Sequence, residues 1–295
     1  MTTIEGLQEA VARVAESVGP SVVGIGHRWA RGSGVVIAPG RVLTNAHNLR
    51  GEGVAVTFAD GRTERGRPAG VDLDGDLAVI EVDTAEAPAL SLNGASAPSI
   101  GKAVLALSNP GGLGLRVTFG LVSGTERSFR GPRGRRITGT LEHTAPLLPG
   151  SSGGPVVDPD GHLLGINTNR LGEGFYLAIP AGDPLRERVD ALGRGETPQR
   201  RRLGVAIASG QVARGLRRAV GLPEVDGLLV RGVEEGGPAD RAGLEEGDLL
   251  IAANERELHS FDDLAEALES STGAIELRVL RGTEERTVSV ELNET

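Results

Sequence analysis

Between Ser21 and Pro180 the chain is a succession of short apolar runs cut by turn residues: SVVGIG, GVVIAPGRVLTNAH, GVAVTF, DLAVIEV, AVLALS, VTFGLVSG, PVVDPDGHLLGIN and FYLAIP. Runs of this length and spacing read as strands of an antiparallel barrel or sandwich. The chain has 45 glycines against five phenylalanines, one tyrosine and one tryptophan. Such a composition supplies many turns and leaves the core to Val, Leu, Ile and Ala. The fold class is mainly β.

Helical periodicity is confined to the flanks. Ile4, Leu7, Val11, Val14 and Val18 recur at three- and four-residue steps, which predicts an amphipathic helix over 3–18 ended by Gly19-Pro20. Its apolar stripe either docks on its own domain or joins other subunits. Asp183-Pro184 reads as the N-cap and N1 pair of a short helix carrying Leu185, Val189 and Leu192. Residues 193–202, GRGETPQRRR, break both periodicities and read as a linker. Beyond them, strands (GLLVRGV, DLLIAAN, IELRVLRG, RTVSVEL) mix with helices expected near 211–220, 238–243 and 261–270. Two domains follow, 1–192 and 203–295, and 295 residues are enough to give each a core.

Composition removes several classes of function. Without cysteine there is no disulfide and no thiolate metal site. A formal net charge of -9 argues against nucleic acid, which needs phosphate-neutralising basic surface. No apolar run approaches the roughly 18 residues of a membrane span. The first twenty residues have neither a basic start nor a continuous apolar stretch, so they do not read as a secretory signal. The chain is accordingly expected to be cytoplasmic, with a periplasmic or secreted location if a leader was removed.

The chemistry gathers at PGSSGGP, residues 149–155, a stretch that neither a helix nor a strand interior accommodates. Gly150-x-Ser152-x-Gly154 also fits the nucleophile elbow of α/β-hydrolases. That motif needs a helix after the serine and a triad acid and histidine downstream. Here Pro155 opens a strand and hairpin, and the later histidines are His162, on that hairpin, and His259, in the other domain. A different order works. His47 ends the run VLTNAH, Asp76 opens DLAVIEV, and Ser152 follows, the order of the chymotrypsin-like double barrels. A serine hydroxyl is a poor nucleophile until an imidazole takes its proton. The imidazole in turn needs a carboxylate to fix its tautomer and stabilise its charged form. The glycine-rich turn lets the amides of Gly150 and Ser152 point at one spot as an oxyanion hole.

VLTNAHNL, DGDLAVIEV and PGSSGGPVVDPDGHLLGINT resemble the three catalytic segments of the HtrA (Deg) serine proteases, trypsin-like enzymes with C-terminal PDZ domains. The likeness extends through GSGVVIAPGRVLTNAH and VTFGLVSG and resumes at RRLGV and GGPADRAGLEEGDLLIAAN. It implies a chymotrypsin-like double β-barrel followed by an α+β PDZ domain, and an endopeptidase that cuts unfolded or misfolded polypeptides with no cofactor, metal or ATP. It also implies His47 as base, Asp76 as orienting acid, Ser152 as nucleophile, and Gly150, Ser151 and Ser152 as the oxyanion turn. Ser151, where the family usually has asparagine, contributes backbone. Where the family commonly has TDAAINPG this chain has HTAPLLPG, with Thr144 replacing the aspartate, and GFYLAIP replaces Gly-Phe-Ala-Ile-Pro. The substrate pocket is expected at Leu147, Leu148, Phe175, Tyr176 and Leu177. A basic residue would be buried there without a partner, so small or medium apolar residues are expected, with Leu147 and Tyr176 limiting depth.

In PDZ domains a peptide adds a strand to a sheet edge and backbone amides hold its terminal carboxylate. Leu203, Gly204 and Val205 stand where that loop lies in the family. SFDDLAEALES supplies the groove helix, with Ser260 as N-cap and Leu264 and Leu268 on one face, where they also serve as core. C-terminal peptides are the partners implied, together with polypeptide substrates. The family is generally trimeric, often through aromatic residues near the N-terminus. None precedes Trp29 here, so a trimer would rest on the Val/Leu stripe.

Two rival functions remain: a non-cleaving peptide-binding scaffold on a protease-like barrel, and an esterase of small substrates. His27, His143, His162 and His259 lack triad company and default to surface or structural roles. Asp72, Asp74 and Asp76 begin like a calcium loop, but Leu77 and Asp83 stand where it needs glycine and glutamate. SNPGGLGLR lacks the lysine and the strand–turn–helix setting of a phosphate loop.

Overall fold

The computed structural model describes residues 3–26, 32–51, 53–93, 98–131, 136–172, 174–196, 201–271 and 273–292. His27, Trp29 and residues 197–200 of the expected linker lie outside the described residues. The chain divides into two compact units, Met1–Pro198 and Gln199–Thr295.

Unit one holds two closed barrels. The first contains β1 (Val22–Ile25), β2 (Gly32–Ala38), β3 (Arg41–Thr44), β4 (Val54–Thr57), β5 (Thr63–Asp72) and β6 (Leu77–Glu81), in the order β1-β2-β3-β6-β5-β4. The second contains β7 (Ala103–Ser108), β8 (Arg116–Arg130), β9 (Arg136–His143), β10 (Pro155–Val157), β11 (Leu163–Gly172) and β12 (Phe175–Pro180), in the order β10-β11-β12-β9-β8-β7.

Their strands bury both faces. Val36 and Val42 fill the first barrel with Val23, Val56 and Ile80. Their neighbours Val35 and Leu43 face the other way, into a shared layer with Leu105, Leu107, Val157 and Ile166 of the second barrel. Because alternate residues point to opposite faces, double burial turns the expected alternation into the unbroken apolar runs seen in the sequence.

Two helices seal this shared layer. α1 (Thr3–Val18) sends Val14 and Val18 into it, while Ile4 and Leu7 are 78% and 38% exposed. The stripe is therefore divided: its C-terminal half docks on its own unit and its N-terminal half faces outward. α2 (Asp183–Gly193) contributes Leu185, Val189 and Leu192. Its cap lies one residue earlier than expected. Gly182, at φ 131°, is the N-cap, and Asp183 already sits in the first helical turn, where it pairs with Arg186 at 2.9 Å. A carboxylate there still favours the positive end of the helix dipole.

Unit two is one sheet with helices. β13 (Val205–Ala208), β14 (Leu228–Val233), β15 (Leu249–Ala253), β17 (Ala274–Arg281) and β18 (Glu284–Glu291) pair in that order, and β16 (Arg256–Glu257) pairs with β15. β17 shows the pattern of a half-buried strand: Ile275, Leu277 and Val279 are buried while Glu276 and Arg278 are exposed. They meet Leu228, Val230, Leu250 and Val290, together with Leu264 and Ala267 of α5 (Phe261–Ser270). α3 (Gly210–Ala219) and α4 (Pro238–Arg241) complete the unit. Among the described residues no helix is long and apolar enough to cross a membrane.

Ser260 begins α5 with a reciprocal cap. Its hydroxyl accepts from the Asp263 amide, and the Asp263 carboxylate accepts from the Ser260 amide at 2.8 Å. Two otherwise unsatisfied amides are thereby bonded. Ser260→Ala should lower the stability of unit two by about 1 kcal/mol. Faster hydrogen exchange of the first-turn amides of α5, with exchange in unit one unchanged, is the expected readout.

Candidate active site

His47 follows β3 in a short 3-10 turn, Ala46–Asn48, and is fixed by Asp76, the residue just before β6. The Asp76 carboxylate accepts from the His47 backbone amide at 3.1 Å and lies 2.9 Å from His47 Nδ1 through each oxygen. Thr168 Oγ1 donates to Asp76 Oδ2 at 2.6 Å, and Asn45 Nδ2 donates to the Asp76 carbonyl at 2.8 Å. Asp76 is 1% exposed and holds a left-handed φ of 54°, unusual for a residue with a side chain. A buried carboxylate facing Nδ1 requires that nitrogen to carry the proton, which leaves Nε2 as the basic atom. Its ring is partly open to solvent.

Ser152 sits on a turn that the first barrel grips. Its carbonyl accepts from the Ser33 amide at 2.9 Å and from Asn48 Nδ2 at 2.9 Å. Ser33 Oγ donates to the Gly150 carbonyl at 2.9 Å. Gly150 and Gly153 take φ of 92° and 90°, values that side chains rarely adopt. At Gly153 a Cβ would also lie 2.0 Å from the Ser33 carbonyl oxygen, so only hydrogen fits. Among the described residues the amides of Gly150 and Ser152 donate to no acceptor. Ser151 is buried, and its hydroxyl donates to Ser108 Oγ at 3.1 Å.

The Ser152 hydroxyl donates to the Thr168 carbonyl at 2.8 Å. It is not hydrogen-bonded to His47 in this conformation, and a bond to Nε2 would require a rotation about χ1. Such catalytic bonds are often unformed in the absence of substrate.

Around these groups runs a cleft of about 400 Å³, lined by His47, Asp76, Ser152, Leu147, Leu148 and Tyr176 among others. Phe175 and Leu177, also expected there, do not line it. Strand alternation separates them from Tyr176: Leu177 is fully buried, and Phe175 is 45% exposed outside the cleft. Phe129, Thr168 and Arg170 line it as well. The sequence reading missed them because their positions depend on strand register and not on any local motif.

His143, for which a surface or structural role is expected, is buried close to the site. Fully buried, it donates from Nε2 to Asn167 Oδ1 at 2.9 Å and stacks on Tyr176 at 5.9 Å between ring centroids. Its Nδ1 has no partner among the described residues. His162 and His259 are exposed and lie beside Asp158 and Glu257. Asp72 Oδ1 accepts from the Asp74 and Gly75 amides, which fits the turn reading.

A second candidate site lies in unit two. Gly204 takes φ 75°, and the Leu203 and Gly204 carbonyls accept from Ala239 and Glu234 at 2.8 Å each. The amides of Leu203 and Gly204 donate to no acceptor among the described residues. They adjoin β13, an edge strand paired only with β14. Leu264 is buried in the core, while Val205, Ile207 and Leu268 are half-buried at its margin.

Both units match known protein families. A trypsin-like peptidase domain matches residues 32–166, and a PDZ domain matches residues 229–282. A probable periplasmic serine endoprotease, DegP-like, of Halomonas elongata is 33% identical over 272 residues, covering 89% of this chain and 56% of that protein. The chain thus spans little more than half the length of that relative. The putative serine protease HhoA of Synechocystis sp. is 33% identical over 279 residues, covering 88% of this chain and 70% of HhoA. Among solved structures, the HtrA-type protease AlgW with a decapeptide superposes with a TM-score of 0.73 at 26% identity, over 97% of this chain and 98% of AlgW.

The environment of His143 sets a pH dependence. Burial pulls its imidazole down to about 4, opposed in part by the Asn167 bond. The unfolded chain therefore binds a proton that the folded chain refuses. The resulting stability is complete above about pH 6.5 and is lost as pH falls toward 4, to a total on the order of 3 kcal/mol. A thermal melting series from pH 7 to 4 should show unit one weakening steeply, and His143→Gln should flatten that limb. Equal slopes would assign the acid sensitivity to other groups.

Proposed function

Because the chain belongs to the HtrA family of trypsin-like serine proteases with a PDZ domain, we propose that it is a serine endopeptidase. Its substrates are unfolded or misfolded polypeptides, and its second unit binds peptide C-termini. The observation that carries this is the bond from His47 Nδ1 to buried Asp76 at 2.9 Å, in one cleft with a serine whose turn holds two undonated amides.

The steps follow from these groups. Ser152 Oγ turns from the Thr168 carbonyl, gives its proton to His47 Nε2 and attacks the carbonyl carbon of a peptide bond. The imidazolium is stabilised by Asp76, which Thr168 keeps in place. The oxyanion accepts from the Gly150 and Ser152 amides, donors that need no reorganisation as charge develops. His47 then returns the proton to the leaving nitrogen, the C–N bond breaks, and an acyl-enzyme remains. Water repeats the sequence through the same base and frees Ser152.

In unit two, the carboxylate of a C-terminal peptide accepts from the Leu203 and Gly204 amides. Its backbone extends the sheet at β13, and its last side chain lies against Val205, Ile207 and Leu268. Burying an apolar side chain and bonding a charge at one end favour a free carboxyl terminus. The name of the Halomonas relative supports a periplasmic location over the cytoplasmic one. The non-cleaving scaffold is less well supported, since Asp76 is held by contacts that orient a base.

Two experiments test the reading. An organophosphonate should label Ser152 in the native chain. Labelling should vanish in His47→Ala and fall by orders of magnitude in Asp76→Asn, where the imidazole takes the wrong tautomer. Cleavage of a denatured protein should disappear in Ser152→Ala. Equal labelling of all these forms, or proteolysis that survives in Ser152→Ala, would sink the triad assignment.

For the second unit, matched peptides differing only in a terminal acid or amide should be titrated into Ser152→Ala. The acid should bind at least about tenfold more tightly, as loss of a charge-assisted bond predicts. Equal affinities would leave substrate selection to the cleft.

A further inference from the structure

The active-site cleft contains a charge that neither the triad nor the oxyanion turn uses. Arg170 lies on β11 two residues beyond Thr168, directly across from Tyr176 of β12. Residues paired across neighbouring strands share a face, and both side chains line the same cleft as Ser152. The guanidinium carbon stands 6.0 Å from the centre of the Tyr176 ring, within the range of a cation–π contact. Arg170 Nε donates to the Gly172 carbonyl at 2.7 Å, which anchors the head group. Among the described residues its two terminal nitrogens have no acceptor.

Opposite charge is scarce among the described residues of the cleft. Asp76 is the one carboxylate among its described lining residues, and its oxygens are engaged by His47 and Thr168. The remaining walls include Leu147, Leu148, Phe129 and Tyr176, and a second arginine, Arg130, also lines it. Apolar walls under a guanidinium match a side chain with a methylene stem and a carboxylate head. Arginine suits that role because its planar fork bonds a carboxylate in bidentate fashion.

We infer that Arg170 is a specificity-determining residue, which makes the cleft prefer a substrate with a glutamate-like carboxylate in the residue seated beside Ser152. The inference rests on the endopeptidase reading and sharpens it. An expectation of small apolar residues follows from the segments before Ser152 and around Tyr176, which leave Arg170 out. Walls of this kind still exclude Lys and Arg, now by repulsion as well as by desolvation. Because Arg170 is exposed, the preference should weaken as salt rises.

The test uses the full chain and two peptides identical except for Glu or its neutral isostere Gln on the N-terminal side of the scissile bond. In the native protein kcat/KM should favour Glu by about tenfold or more, chiefly through KM. The ratio should fall to about one in Arg170→Gln. In Arg170→Glu it should invert, with a gain for the corresponding Lys peptide. Phosphonate labelling of Ser152, measured in parallel, should remain detectable in all three proteins, which separates a changed preference from a lost nucleophile. A Glu-to-Gln ratio near one in the native chain, with Ser152 labelled and the Gln peptide cleaved, would overturn the role of Arg170 and leave the protease reading standing. Absence of both labelling and cleavage would overturn the two together.

Discussion

Ser33 is the point on which the site's architecture depends. It is fully buried on β2 of the first barrel, and each of its polar groups is committed. Its amide donates to Ser152, its hydroxyl donates to Gly150, and the same hydroxyl accepts from the Asn109 amide. Its carbonyl accepts from Thr44 Oγ1 at 2.7 Å. The serine turn comes from the second barrel but is therefore bonded along its length to the first. A buried carbonyl left unpaired costs roughly 1–3 kcal/mol, so the turn's path is set by where Ser33 stands. The Asp76–Thr168 bond is the reciprocal contact, in which the second barrel holds a carboxylate of the first. Neither barrel carries a complete site, and the apolar layer between them fixes both halves in register.

Much of this was legible in the sequence, and what was not has a common cause. The strands could be read because burial on both faces leaves an unmistakable run of Val, Leu and Ile. His47, Asp76 and Ser152 could be read because each adjoins such a run and their order matches a known chemistry. The α5 cap was also visible, since Ser260 and Asp263 bond within one turn. Thr168, Arg170, Ser33 and His143 act through residues 92, 6, 119 and 24 positions away, taking Asp76, Tyr176, Ser152 and Asn167 as their partners. No local spacing encodes such pairings, because they follow from register. Phe175 and Leu177 show the same limit from the other side. A segment can be assigned to a pocket wall, but strand alternation decides that Tyr176 alone of the three faces it.

Residues 167–170 on β11 carry several of these distant pairings in four consecutive positions. Asn167 fixes His143 and so the ring packed behind Tyr176. Thr168 uses its side chain for Asp76 and its carbonyl for the Ser152 hydroxyl. Arg170 faces Tyr176 across the hairpin. The same strand thus bonds the Asp76 carboxylate, holds the Ser152 hydroxyl and frames the cleft. The resting bond of Ser152 is a modest restraint, since moving a hydroxyl from a carbonyl to an imidazole exchanges one hydrogen bond for another. Net differences in such exchanges are about 1 kcal/mol, within reach of the contacts that a seated substrate makes. Any segment bound along β11 meets Arg170 and Tyr176 close to the carbonyl that restrains Ser152. In the proposed mechanism, selection of the substrate and release of Ser152 are thereby tied to one strand, held by the buried bonds of Asn167 and Thr168.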